Sequence, residues 1–164
     1  MSAAAPTAES QLGLVFQYTL EAYKTFQKLA ELLQNPMSAA MFEAFAREER
    51  EHRDLLEIKY TTSNMQRIQL TLGADLRFQD MLEGDLSYRE MAEFLIARER
   101  SMEKKLREFA ETATDSDRNL LIYMAASKRA HVTLLERELE MIRLHPDWFK
   151  REDAQDLVVH GKRG

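Results

Sequence analysis

The chain has 164 residues, enough for one domain with a sizeable core, and its 5 Gly and 3 Pro interrupt it rarely. It has no cysteine, which excludes disulfides, thiolate metal ligands, CxxC redox chemistry and a cysteine nucleophile. A net charge of -5 argues against nonspecific nucleic-acid binding, and the basic pair Lys162-Arg163 is too short to change that.

The opening segment, Met1 to Gln11, lacks the basic and apolar regions of a secretory signal. No apolar run approaches the ~18 residues of a membrane span, so the cytoplasm is the expected compartment. The first helix is expected from about Glu9 to Gln34. Thr7 is its N-cap, Asn35-Pro36 its stop, and Val15, Tyr18, Ala22, Phe26, Leu29 and Leu33 its apolar stripe. A second helix runs from near Ser38 at least to Tyr60, with the stripe Phe42, Phe45, Glu49, His52 and Leu56. Two polar residues thus stand where core residues belong.

The stretch from Asn64 to Asp85 is less regular, with a helical continuation expected over Met65 to Leu72. Ser87 and Glu90 then form a capping-box pattern that opens a third helix reaching about Thr112. Its stripe is Met91, Leu95, Glu99, Met102, Leu106 and Phe109. The fourth helix is expected after Asp115-Ser116-Asp117 and before Pro146, with the stripe Leu121, Met124, Lys128, His131, Leu135 and Ile142. Trp148 and Phe149 are expected to fold back on the bundle. Residues 1-150 form the bundle and 151-164 a loosely held tail.

Short links make the first and second helices one antiparallel hairpin, and the third and fourth another. Between the hairpins lies a link of about 24 residues, long enough to run the length of a helix at ~1.5 Å per residue. The fold expected is therefore all-α, a four-helix bundle of two hairpins joined by one long crossover. The hairpins also repeat. An offset of 79 residues sets Glu49 on Lys128, His52 on His131, Phe45 on Met124 and Leu56 on Leu135. In the first and third helices an offset of 80 sets Phe26 on Leu106 and Thr19 on Glu99. Such a duplication arranges equivalent residues about a pseudo-two-fold axis.

Six polar residues fall on the core stripes: Thr19, Glu49, His52, Glu99, Lys128 and His131. Buried carboxylates are costly unless paired or bound to a metal. Glu and His three apart share one helix face. Carboxylate oxygen with imidazole nitrogen suits iron, manganese or zinc. Beside these, Arg47, Glu48 and Arg50 read as a solvated face, and Tyr18 and Tyr123 as core-packing residues near the site. His145 and His160 read as surface residues.

The segments FEAFAREEREHRDLL (Phe42 to Leu56) and LIARERSMEKKLREFA (Leu95 to Ala110) resemble the second and third helices of the ferritin-like superfamily, nearest to rubrerythrin-type domains. The resemblance spans Leu12 to Ile142. It implies a di-iron centre with one Glu from the first helix of each hairpin and Glu-x-x-His from the second. Glu49, His52, Glu99 and His131 match that pattern, whereas Thr19 and Lys128 replace its other two carboxylates. Glu21 is no substitute, since two residues turn about 200° around a helix. Without cysteine the chain has no rubredoxin module, so electrons would come from a separate partner.

Two readings remain open at this stage. One is a rubrerythrin-like metal-binding protein, an oxidoreductase acting on peroxide or oxygen through at most one divalent ion on Glu49, Glu99 and His131, assisted by His52. The other is a metal-free bundle that has lost catalysis and serves binding or assembly, its centre held by a Glu-Lys-Glu-His ion cluster. A homodimer is expected by analogy, with Leu20, Tyr23, Phe94 and Ile96 as candidate contacts.

Overall fold

The structure, a computed structural model, describes residues 7-65, 67 and 70-147. Among them are five helices and no strand: α1 (Ala8–Leu32), α2 (Pro36–Ser63), α3 (Gln79–Glu83), α4 (Tyr88–Thr112) and α5 (Asp115–Leu144). None of these helices is long and apolar enough to cross a membrane. The expected all-α architecture is present, with α1, α2, α4 and α5 as the bundle and α3 as one turn within the crossover.

Local chemistry sets the helix ends. Thr7 caps α1 by accepting from the Ser10 N–H at 3.1 Å. Asn35 both follows α1 and caps α2, accepting from the N–H groups of Met37 and Ser38, with Pro36 in the first turn where a missing N–H is harmless. The helix therefore begins at Pro36 rather than Ser38. It ends where Asn64 turns left-handed (φ 54°) and the Met65 N–H donates to the Tyr60 carbonyl at 3.1 Å. That closure overturns the expected continuation over Met65 to Leu72, whose described residues belong to no helix. The capping box of Ser87 and Glu90 forms as expected. Asp115 and Asp117 lie inside the first turn of α5 rather than before it, where acidic side chains complement the N-terminal dipole.

In the hairpins α1 packs on α2 and α4 on α5; the hairpins meet through α2 with α5 and α1 with α4. Four links outside the buried centre tie α2 to α5 and hold their antiparallel register. These are Ser38 Oγ to Glu138 at 3.0 Å, Ser127 Oγ to Glu48 at 3.3 Å, Tyr123 Oη to Glu51 at 2.7 Å, and the Lys59–Asp117 ion pair at 2.6 Å. The core stripes are buried, Phe109 only partly.

The crossover is a structural wall rather than a spacer. Leu76, Phe78 and Met81 are buried, and the Phe78 ring lies 5.2 Å from that of Tyr18 and 6.3 Å from that of Phe26. Arg98 of α4 donates to the Arg77 carbonyl at 2.8 Å. The crossover therefore lies across the α1/α4 side of the bundle. His145 is exposed, as expected. Trp148, Phe149, His160 and the tail 151-164 lie outside the described residues.

Phe78→Ala should cost roughly 3–5 kcal/mol, since it removes a fully buried ring wedged between two others. Urea unfolding monitored by circular dichroism measures it; a loss below about 1 kcal/mol would mean that the crossover contributes no packing.

Candidate metal centre

All six polar stripe residues reach the middle of the bundle, each at most 1% exposed. The 3.6-residue period places them there, because each stands in an otherwise apolar stripe that faces the core. The two hairpins deliver them in pairs: Thr19 from α1 with Glu49 and His52 from α2, then Glu99 from α4 with Lys128 and His131 from α5.

The Lys128 ammonium occupies the centre. It donates to Glu49 Oε1, sits 3.6 Å from Glu99 Oε2, and lies 5.0 Å from the centroid of the Tyr18 ring. The Tyr18 hydroxyl donates to the same Glu99 Oε2. The other Glu99 oxygen meets His131 Nδ1 at 2.6 Å, while His131 Nε2 meets Glu48 Oε2 at 3.0 Å. Carboxylates accept only, so a ring bonded to one on each side donates from both nitrogens and is an imidazolium. Phe45 stacks on that ring at 4.0 Å and holds its plane.

Burial alone would push Glu49 up and Lys128 down, but the facing charges outweigh it. The Lys128 ammonium and then His52 hold Glu49 down at about 2, and Glu49 and Glu99 hold Lys128 above its ordinary value. Burial would likewise lower His131, yet its bonds to Glu48 and Glu99 raise it to about 9. Burial also favours neutral Glu48, but its bond to His131 outweighs that and keeps it below the usual carboxylate range. Burial and then Glu99 push the Tyr18 phenol well up, so it stays a neutral donor. Glu49 and Glu99 are thus balanced by Lys128 and His131, and the buried cluster is neutral.

A family-type pair of irons does not fit this centre. Lys128 stands between the two carboxylates, and the Thr19 hydroxyl is turned back onto its own helix, donating to the Val15 carbonyl at 2.8 Å. One ion does fit the donor set. Atoms of Glu49, Glu99 and His131 lie within 4.8 Å of one another. Beside them Glu49 Oε2 and His52 Nδ1 are buried without a hydrogen-bond partner, although His52 Nδ1 approaches Glu49 Oε1 to 3.4 Å. Glu21 faces away from the cluster and pairs with Gln17 at 3.0 Å.

Three participants differ from the sequence reading. Glu48 is not simply part of a solvated face, since it closes the His131 hydrogen bonds. Tyr18 is a donor to the cluster as well as a packed ring. Tyr123, at 48% exposure, lies on the surface and meets the His52 ring edge-on at 5.6 Å instead of packing in the core. Only the 79-residue offset that pairs position 48 with Ser127 hinted at Glu48's direction.

The titrations set a pH profile. Glu49, depressed from 4.5 to about 2, stabilises the fold above about pH 4.5 and loses that contribution as pH falls through 2. His131, raised from 6.5 to about 9, contributes fully below about pH 6.5 and loses it as pH rises through 9. The melting temperature should therefore fall between pH 6.5 and 9, and His131→Gln should flatten that limb while lowering the plateau. An unchanged slope in the variant would show that His131 is not the group titrating.

The Rubrerythrin family model matches residues 19–139. No curated protein sequence matches the chain. Among solved structures, bacterioferritin BfrA of Mycobacterium tuberculosis is similar at 20% identity and a TM-score of 0.72, over 94% of this chain and 96% of that one. A hypothetical protein from Pyrococcus furiosus is similar at 18% identity and a TM-score of 0.67, over 84% of this chain and 91% of that one. At such identities the structures speak for the fold, a ferritin-like helical bundle, and the family match extends over most of the bundle. The chain belongs to the rubrerythrin family.

Proposed function

We propose that this domain holds at most one divalent metal ion at the bundle centre, on Glu49, Glu99 and His131, with His52 beside it and the Lys128 ammonium standing where a second metal would. The observation that carries this reading is the convergence of three buried donors within 4.8 Å. Bound there, iron or manganese would supply one-electron exchange with a small oxidant such as peroxide or oxygen; zinc fits the same donors without redox chemistry.

The chain's own residues have distinct tasks. Glu49 and Glu99 hold the cation, and each gives up part of its contact with Lys128 to do so. His131 offers Nδ1 once that nitrogen has lost its proton, while Glu48 keeps the Nε2 proton and so fixes the ring. Tyr18 donates its hydroxyl hydrogen bond to Glu99 Oε2 and so fixes that carboxylate, and Phe45 and Phe78 keep water out. With no cysteine in the chain, a redox role takes electrons from a separate partner protein. The reading includes a homodimer working in the cytoplasm.

A second reading has its own observation. The neutral, hydrogen-bonded cluster of Glu49, Glu99, Lys128 and His131 closes on itself without any ion, as expected of a bundle that has left catalysis for binding or assembly. Metal content separates the two.

Iron per chain should not exceed one in the natural protein and should move towards two in Thr19→Glu with Lys128→Glu. The double change adds two negative charges and removes a positive one at a single buried spot, so cations are needed to offset it. Without iron the variant should melt below the parent; with ferrous ion it should recover, because a ligand of the folded state stabilises it. Two irons in the natural protein would refute the role given to Lys128. None at all, with manganese and zinc also absent, leaves the assembly reading.

A further inference from the structure

We propose that the outer face formed by α2 and α5 is the dimer interface, packing on the same face of a second copy of this chain. The proposal rests on the homodimer reading and gives it a location. All seven large apolar residues that stand exposed among the described residues lie on α2 or α5, and none on α1 or α4. Met37 is 67% and Ile58 61% exposed on α2; the other five, Ile122 and Leu134 among them, are on α5. The residues expected as contacts from the sequence are covered by their own chain. Ile96 is buried, Leu20 is half-buried, Arg53 lies 5.5 Å over Tyr23, and Arg98 lies 3.9 Å over Phe94.

Charge points the same way. The exposed positions of α5 from Ile122 to Leu134 carry one charge, Arg129, which leans towards α4 and pairs with Glu103 at 3.5 Å. The exposed face of α4, with Glu93, Arg100, Lys104 and Arg107, is densely charged. The central stretch of α5 is thus depleted of charge, as an interface core is, while Glu51 and Asp54 on α2 and Glu136 and Arg137 further along α5 are exposed around it as a charged rim.

The spacing favours a second copy over an unrelated partner. An isologous interface must be self-complementary about its two-fold axis. Met37 and Ile58 are equidistant along α2 from positions 47 and 48, and Ile122 and Leu134 are equidistant along α5 from Lys128. Glu48 and Ser127 are bonded at 3.3 Å, so both midpoints fall at one level of the bundle. A two-fold axis at that level, lying in the interface and across the helices, sets Ile122 against Leu134 of the partner subunit. It also sets Ala126 against Ala130 of the partner subunit, and these small exposed side chains let the two α5 helices approach closely. The face is large enough. With 28 residues α2 is ~42 Å long, and two packed helices are ~20 Å across, giving ~800 Å², about one side of a stable interface.

Assembly on this face also covers Glu48. Of the groups bonded to the buried cluster, Glu48 alone is half-exposed, its side chain at 45%. Dimerisation therefore removes the cluster's one bonded link to solvent, while the crossover closes the opposite side.

Sedimentation velocity of the full chain tests the proposal. The natural protein should sediment as a dimer. Ala126→Glu with Ala130→Glu should weaken association by at least ~30-fold, because it places unpaired charge in the seam, with helicity unchanged at two exposed helical positions. Ala97→Glu on the exposed side of α4 should leave the dimer intact. In a chain without cysteines, Ala126→Cys with Ala130→Cys should give covalent dimers on oxidation. A dimer that resists the Glu pair and yields no cross-link overturns this interface and leaves the homodimer standing. A monomer at high protein concentration overturns both. A monomer whose Trp148 fluorescence responds to the Glu pair assigns the face to the chain's own C-terminal segment and overturns the proposal as well.

Discussion

The Lys128 ammonium, buried between Glu49 and Glu99, is the contact on which the rest of the centre depends. A carboxylate removed from water without a counter-charge costs several kcal/mol, and this bundle buries two. The positive charge that offsets them comes from Lys128 and from a His131 held as the imidazolium by two acceptors. Neutrality at the centre is the constraint, and the identity of each surrounding residue follows from it. Thr19 is a self-satisfied hydroxyl that donates to its own helix, and Tyr18 directs its hydroxyl hydrogen bond to Glu99. Glu48 must stay close enough to the surface to remain charged while still reaching His131.

The duplicated scaffold explains how such a cluster is built and why its halves differ. Two hairpins place equivalent residues at one level of the bundle, but the sequence at those levels has diverged. In the half made by Glu99, Lys128 and His131 every side-chain nitrogen and oxygen has a hydrogen-bond partner. The half made by Thr19, Glu49 and His52 retains Glu49 Oε2 and His52 Nδ1 without partners. The surroundings are unequal too. On the α1/α4 side Phe78 and its neighbours seal the centre, and on the α2/α5 side only a layer of polar contacts separates it from the surface.

In the proposed metal-bound form, metal and ammonium compete for the same oxygens. A divalent ion on Glu49, Glu99 and His131 brings more charge than the cluster lacks. Its binding must therefore be accompanied by loss of the His131 Nδ1 proton and a retreat of Lys128 from at least one carboxylate. On the proposed reading, that coupling limits the centre to a single ion. It also lets one chain combine the converging donors Glu49, Glu99 and His131 with a centre held by its own charges.

Much of this was legible in the amino-acid order, because it depends on rules that act within a helix or across a short turn. The period of the four stripes, the Ser87–Glu90 capping box and the length of the two hairpin links determined an all-α bundle. The same period placed Thr19, Glu49, His52, Glu99, Lys128 and His131 in its core, since a polar residue in an apolar stripe shares the direction of its neighbours. Other features were decided only by tertiary contact. Met65 to Leu72 has helix-forming residues, yet the left-handed turn at Asn64 ends the helix before them. Phe78 reaches Tyr18 and Phe26 only because the crossover folds across α1 and α4. Glu48 looks solvated from its own helix, and it becomes part of the centre only when α5 brings His131 against it. The apolar residues left exposed on α2 and α5 follow from the rotation of each helix against its neighbours. Hydrophobic periodicity reports a helix's buried face, whereas which flank of that face stays uncovered is fixed only when the four helices have packed.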